Sequence, residues 1–298
     1  MNKIQVKLFG TTTVLLPDGS AVTDLGGIKP RQVLEILALS VGTPVSKDRL
    51  VEHLWGDNPP RTYTATLESY ISLLRRRMGV SKGRQSPLAT TSNGYVLDPA
   101  FVEVDVDTFR QLAQPTLGAT PQEVVAATEK AISLVTADLL ASEPYADWAA
   151  HERTLFQSEY MHACNRAASA ALAHARPEVG VEMARRAVAC DDMSETSWQL
   201  LIRSLAATGA RSEALRAYLD LRRTLVDALG TEPSAASRSL YMDLLAEDDA
   251  ESTPASSVQE VRTLLALLED ALESFPDVNL SLNDRRLTEK AERLVGAA

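Results

Sequence analysis

The stretch Thr62-Tyr63-Thr64-Ala65-Thr66-Leu67-Glu68-Ser69-Tyr70-Ile71-Ser72-Leu73-Leu74-Arg75-Arg76-Arg77-Met78-Gly79 decides the fold. Wound at about 100° per residue, it places Leu67, Ile71, Leu74 and Met78 on one apolar stripe. Arg76 and Ser69 fall opposite, flanked by Ala65, Ser72, Thr62 and Leu73, and Arg75 and Arg77 stand on the two sides. Gly79 signals the C-terminus. An outward face of small hydroxyls and arginines suits a DNA major groove: small residues allow close approach, and a guanidinium forks onto guanine or phosphate. A solvated helix whose basic end offsets its dipole explains the same arginines, so the neighbouring elements must choose. Leu73 is out of place on that face; it meets a thymine methyl or packs beneath the hairpin that follows.

Upstream, Ser46 is a helix N-cap before Leu50, Val51, Leu54 and Trp55, and Pro30 opens a helix carrying Val33, Leu34, Leu37 and Ala38. Gly56-Asp57-Asn58-Pro59-Pro60 must be a loop. Earlier still, Ile4, Val6 and Leu8 alternate as a half-buried strand, and Val14-Leu15-Leu16 precedes the turn Pro17-Asp18-Gly19. Downstream, Leu88-Ala89-Thr90-Thr91 and Tyr95-Val96-Leu97 flank Ser92-Asn93-Gly94, a strong hairpin signal. Strands, three helices and a hairpin make a winged helix-turn-helix over residues 1–99, with the third helix as reader and the hairpin as wing. The reading residues are then Thr62, Ser69, Ser72, Leu73, Arg75, Arg76 and Arg77. Phosphate and wing contacts fall to Arg31, Lys47, Arg61, Lys82, Arg84, Thr90, Thr91, Asn93 and Tyr95, with Lys29 and Ser46 as further helix-start candidates.

Charge supports the split. The 298-residue chain has a net charge of −10, which on average argues against a polyanionic partner. Residues 1–100 nevertheless carry +4 and the rest −14, the asymmetry of a nucleic-acid module joined to an acidic one.

Residues 100–247 read as helices rich in Ala, Leu, Arg and Glu. Asp105 stands as an N-cap before Phe109 and Leu112, and Thr120-Pro121-Gln122-Glu123 is a capping box. Val181, Ala184 and Val188 recur as Ala214, Ala217 and Leu221, behind Trp198, Leu201 and Leu205, a spacing like that of tetratricopeptide helix pairs. The expected fold class is therefore mainly α with a small N-terminal α+β domain: a winged helix-turn-helix followed by a tetratricopeptide-like helical repeat domain. Residues 248–258 read as an acidic, Ser/Pro-rich linker. Residues 259–298 read as a helical extension that docks on the repeats or pairs with another subunit.

The residues 30–32 (Pro-Arg-Gln), 50–60, Tyr70–Arg76 and Gly94-Tyr95 resemble the OmpR-type winged helix in the form found in the actinobacterial antibiotic regulatory proteins, or SARPs. Val104-Asp105-Val106-Asp107, Phe109, Trp148, His151-Glu152-Arg153 and residues 229–234 resemble the bacterial transcriptional activator domain that follows it. The resemblance spans residues 3–246. It implies a pathway-specific activator of secondary metabolism that binds direct repeats of double-stranded DNA near promoters and recruits RNA polymerase holoenzyme. It also implies that Gly56, Asp57, Asn58, Pro59 and Pro60 face the polymerase. Family members often carry Arg where this chain has Leu73, which puts one base contact in question. A homodimer is expected, at least on DNA, with two reading helices in successive major grooves.

Other classes fit less well. The sequence has no phosphate loop, no His-Glu-x-x-His and no nucleophile elbow, so catalysis is not expected. His53, His151, His162 and His174 lack metal-ligand spacing, and Cys164 and Cys190 read as small helical thiols, so neither a metal nor a cofactor is expected. No signal peptide and no run of about 18 apolar residues is present, so a cytoplasmic protein away from membranes is expected. A repressor shares every feature of an activator at this level. A helical-repeat scaffold would leave the basic, hairpin-bearing module unexplained.

Overall fold

The structure is a computed structural model and describes residues 3–251, apart from residues 82, 84, 85 and 115. Lys82, Arg84, most of the expected linker and the whole C-terminal extension lie outside the described residues.

Strands β1 (Ile4–Lys7), β2 (Thr13–Leu15) and β3 (Ala21–Val22) form an antiparallel meander. Helices α1 (Ile28–Leu39), α2 (Lys47–Trp55) and α3 (Tyr63–Arg77) follow, with β4 (Val45–Ser46) between the first two. Strands β5 (Leu88–Thr90) and β6 (Gly94–Leu97) pair antiparallel, and β4 joins them in the order β4-β6-β5. The Ser46 hydroxyl accepts from the Arg49 amide at 3.1 Å, so the expected cap is in place. Leu67, Ile71, Leu74 and Met78 are all buried, as the helical spacing requires.

The hairpin expected around Ser92-Asn93-Gly94 is present, shifted by one residue: Gly94 lies within β6, and the loop closes where the Thr91 amide donates to the Gly94 carbonyl at 2.9 Å. Gly94 is a glycine because β4 crosses it. A Cβ there would stand 1.9 Å from the Val45 carbonyl oxygen.

Strand β7 (Val102–Val104) pairs parallel with β1 and completes a sheet of order β3-β2-β1-β7. This pairing was not visible from local patterning, and it carries the N-terminal sheet past the boundary expected at residue 99. Helices α4 (Asp105–Ala113), α5 (Pro121–Leu134) and α6 (Asp147–Ala173) follow. The first core accordingly runs from Ile4 to Ala163. Phe9, Phe109, Phe156 and Tyr160 meet in it, with ring centroids 5.0–6.1 Å apart. The Asp105 carboxylate is not an N-cap: it accepts from the amides of Leu8, Phe9 and Val106 at 2.8–3.1 Å. Its burial pushes its pKa up, and those amide bonds oppose the rise. It thus closes the orphan amides beyond β1. The Thr120–Glu123 capping box forms as expected.

Helices α7 (Pro177–Cys190), α8 (Glu195–Ala207), α9 (Arg211–Leu229) and α10 (Ala235–Glu251) pack in succession behind α6 around a second core. The repeat residues Ala184, Trp198, Leu201, Leu205, Ala214, Ala217 and Leu221 are all in it. Alanines let these helices approach closely. Buried Cys164 has its thiol pKa pushed up to about 12 by desolvation, so it stays an unreactive thiol. Helix α10 continues to Glu251, into the segment expected to be linker, because no helix breaker precedes Pro254.

Candidate nucleic-acid interface

Helix α3 rests its apolar stripe on α1 and α2 and turns its other face out. Thr62, Ala65, Ser69, Ser72 and Arg76 are exposed there together. Among the described residues the Arg76 guanidinium has no hydrogen-bond or ion-pair partner. Arg61, just before the same helix, is likewise exposed and, among the described residues, unpaired. Thr62 occupies the N-cap position, but its hydroxyl caps nothing. The Ser72 hydroxyl donates to the Glu68 carbonyl at 2.8 Å, which leaves its lone pairs to accept. Among the described residues, the outward chemistry of α3 and the two residues before it is thus two free arginines and three hydroxyls.

Five sequence candidates take other roles. Arg75 is buried at 7% exposure. Its Nε and Nη2 donate to the Leu88 carbonyl at 3.0 and 2.8 Å, and Nη2 also to the Thr90 hydroxyl at 2.8 Å. Burial pulls its pKa down. It is a strut from reader to wing, not a base contact. Tyr95, at 3% exposure, belongs to the core, with Lys47 Nζ 5.9 Å from its ring. Leu73 is half-buried and meets the chain ahead of α1. Its Cδ2 lies where a Cβ on Gly26 would stand, 2.2 Å away, so Leu73 covers the backbone before α1. Gly26 also has φ +90, which other residues resist. Arg31 donates to Glu143 Oε1 at 2.6 Å across to the helical domain. Lys29 donates to the Leu54 carbonyl and Gln32, holding α1 on α2.

Two cations stay at the surface but are paired. Lys47 Nζ meets Glu68 Oε1 at 2.8 Å, which raises its pKa, and Arg77 Nη2 meets Asp24 Oδ2 at 2.7 Å. Glu68 and Asp24 escaped the sequence reading because partners 21 and 53 residues apart leave no local signal. Exposed pairs of this kind contribute little to stability, and a phosphate can displace either carboxylate. Glu68→Gln is therefore expected to raise DNA affinity about two- to fivefold by freeing Lys47, read by mobility shift at fixed salt. An unchanged affinity would place Lys47 off the DNA.

On the wing, Thr90, Ser92 and Asn93 are exposed and Thr91 half-buried, while the Asn93 carbonyl accepts from the Lys47 amide at 2.9 Å. Gly56, Asp57, Asn58 and Pro59 form an exposed loop between α2 and α3, closed by half-buried Pro60, whose carbonyl accepts from the Tyr63 amide. Arg75→Met should cut stability by about 2–3 kcal/mol, because the Leu88 carbonyl loses its charged donor. The check is a melting curve with exchange at the β5 amides. A loss of DNA affinity with no loss of stability would instead make Arg75 a direct contact.

Comparison with known proteins agrees with this geometry. Residues 27–97 match the family "Transcriptional regulatory protein, C terminal", and residues 104–245 match "Bacterial transcriptional activator domain". The regulatory protein DnrI of Streptomyces peucetius is 30% identical over 82% of this chain and 93% of its own length. The transcriptional regulator RedD of Streptomyces coelicolor is 27% identical over 79% of this chain and 70% of its own. AfsR of Streptomyces griseus is 27% identical over 80% of this chain, which spans only 24% of AfsR. The fold is that of Mycobacterium tuberculosis EmbR, solved with a low affinity phosphopeptide: the TM-score is 0.68 at 23% identity, over 90% of this chain and 72% of that one. Among the described residues no helix is long and apolar enough to cross a membrane. The chain belongs to the SARP family of DNA-binding transcriptional regulators.

Proposed function

We propose that this chain activates transcription of a secondary-metabolite pathway by binding direct repeats beside a promoter as a cytoplasmic homodimer. The observation that carries the reading is the exposed face of α3, where Arg76, Ser69, Ser72 and Thr62 share one side with no protein covering them. That side enters a major groove and reads base edges. Arg61, Lys47, Thr91 and Asn93 meet phosphate around it, and Arg77 joins them once Asp24 is displaced. The loop of residues 56–60, at the entry to α3, faces the polymerase. The acidic helices keep clear of DNA and engage proteins.

The test has two steps. Sites are selected from random-sequence duplexes with the purified chain, and binding is then measured against salt. A sequence-specific complex whose affinity falls steeply with salt is expected. Transcription is next reconstituted with holoenzyme on a promoter carrying two tandem copies of the selected site. Output should rise on adding the chain; a fall would make it a repressor.

A further inference from the structure

A buried polar cluster joins the winged module to the helical domain. Its centre is Glu35 on α1, which is fully buried. Thr12, from the loop between β1 and β2, donates its hydroxyl to Glu35 Oε1. Arg31, one turn earlier on α1, lies 3.5 Å from the same oxygen. From the loop between α5 and α6 come Ser142, 3.4 Å from Glu35, and Glu143. Glu143 is itself 6% exposed. It takes Arg31 on one oxygen at 2.6 Å and the Gln32 side-chain amide on the other at 2.6 Å. Arg153 on α6 holds the turn from behind, donating to the Glu143 and Pro144 carbonyls. The same loop is stitched by backbone to the residues just after β1: the Gly10 amide donates to the Asp138 carbonyl at 2.9 Å, and the Leu140 amide to the Leu8 carbonyl at 2.8 Å.

The charge count of this cluster is unusual. Two buried carboxylates share one guanidinium, and Glu35 Oε2 has no hydrogen-bond partner. A buried ionised carboxylate with an orphan oxygen is costly, so the neutral acid is favoured. Desolvation, with Glu143 adding to it, raises the Glu35 pKa to about 7, against the opposing pull of Thr12, Arg31 and Ser142.

We propose that Glu143 is a positioning residue for DNA binding: through Arg31 and Gln32 it fixes α1, and with it α3, against the helical domain, and protonated Glu35 keeps that clamp shut. When Glu35 is neutral, Arg31 and Glu143 form a balanced pair. When Glu35 ionises, the site holds a net negative charge, and the loop of residues 138–143 is driven to open and admit water. The orientation of the reader matters most where two chains must sit side by side on tandem sites. This second part rests on the DNA-binding reading above; the clamp itself does not.

Hydrogen exchange on the full chain without DNA tests the clamp. A carboxyl with a pKa near 7 when the loop is closed and near 4.5 when it is open makes opening about tenfold more favourable at pH 8 than at pH 6. The protection factors of the Gly10 and Leu140 amides should fall by that amount in the wild type. They should stay level in Glu35→Gln, which keeps the neutral shape, and change much less in Glu143→Gln, where Arg31 is left to Glu35 alone. Equal pH dependence in the wild type and both variants would overturn the proposal. Mobility shift then compares duplexes with one and two copies of the selected site. Glu143→Ala should match the wild type on one copy and bind two copies at least fivefold more weakly. Equal binding to two copies would overturn the positioning role even where the exchange result stands. Failure of both proteins to bind any selected site would instead refute the DNA reading and leave the exchange result as it is.

Discussion

Arg76→Ala is expected to weaken binding to the selected DNA by about 5- to 150-fold while leaving the melting temperature unchanged. The size follows from the worth of one good guanidinium contact to a base, about 1–3 kcal/mol. The unchanged stability follows from the structure: Arg76 is exposed, and among the described residues its guanidinium takes no part in the hydrogen bonds and ion pairs that hold α3. Salt titration tells what it touches. If Arg76 meets a phosphate, the variant loses about one unit of salt slope and weakens on all sequences alike. If it forks onto guanine, the slope is kept and the preference at one base pair relaxes. Wild-type affinity, slope and specificity in the variant would remove α3 from the groove. The contrast with Arg75 sharpens the test. The two residues are adjacent, yet Arg75→Met should act through stability and Arg76→Ala through binding alone.

Gly94→Ala should be the most damaging glycine-to-alanine change among the described residues. The added Cβ would lie 1.9 Å from the Val45 carbonyl oxygen, 2.7 Å from its carbon and 2.9 Å from Ser46 Cα. All three are backbone atoms of β4, so no side chain can swing aside. The β4–β6 pairing must break, and with it the seat of the Ser46 cap on α2. We expect a loss of about 3 kcal/mol or more and a melting point lower by on the order of 10 °C. DNA binding falls with it, since the wing and the start of α2 share this strand. A variant that melts with the wild type would mean that β4 does not cross the hairpin here. Gly19 is the control: a Cβ there meets nothing within 4 Å, although its φ of +87 carries a smaller backbone cost.

Stability should also respond to pH through Glu35. Its pKa is raised from 4.5 to about 7 in the folded chain. The contribution is therefore full below pH 4.5 and is lost as pH rises through about 7. Glu35→Gln should flatten this part of the profile, a comparison that chemical denaturation between pH 5 and 8 can make.

Much of the reader was legible in the primary structure because its signals are local. A helix repeats every 3.6 residues, so Leu67, Ile71, Leu74 and Met78 declare the buried stripe, and Arg76 and Ser69 follow as its opposite. Ser46 and the Thr120–Glu123 box declare helix starts for the same reason: cap and capped amide lie within three residues. What failed were assignments that depend on partners far along the chain. Arg75, Arg76 and Arg77 form a uniform basic run, yet one is buried under the wing, one is free and one pairs with Asp24. Periodicity gives a side chain's direction but not what waits there. Leu73 shows this well: its outward angle was right, and its neighbour, Gly26, lies 47 residues earlier.

Local chemistry, then, settled the class of molecule: a basic winged module with a helix of outward arginines and hydroxyls, followed by acidic alanine-rich helices, with opposed charges of +4 and −14. Folding in three dimensions settled which cations are available to DNA and how the two parts are joined. The parallel β1–β7 pairing, the Asp105 carboxylate on the Leu8 and Phe9 amides, and the Arg31–Glu143 contact each span roughly 100 residues. Nothing in a short window encodes such contacts, because their energy appears only once a buried donor and acceptor have been brought together away from water.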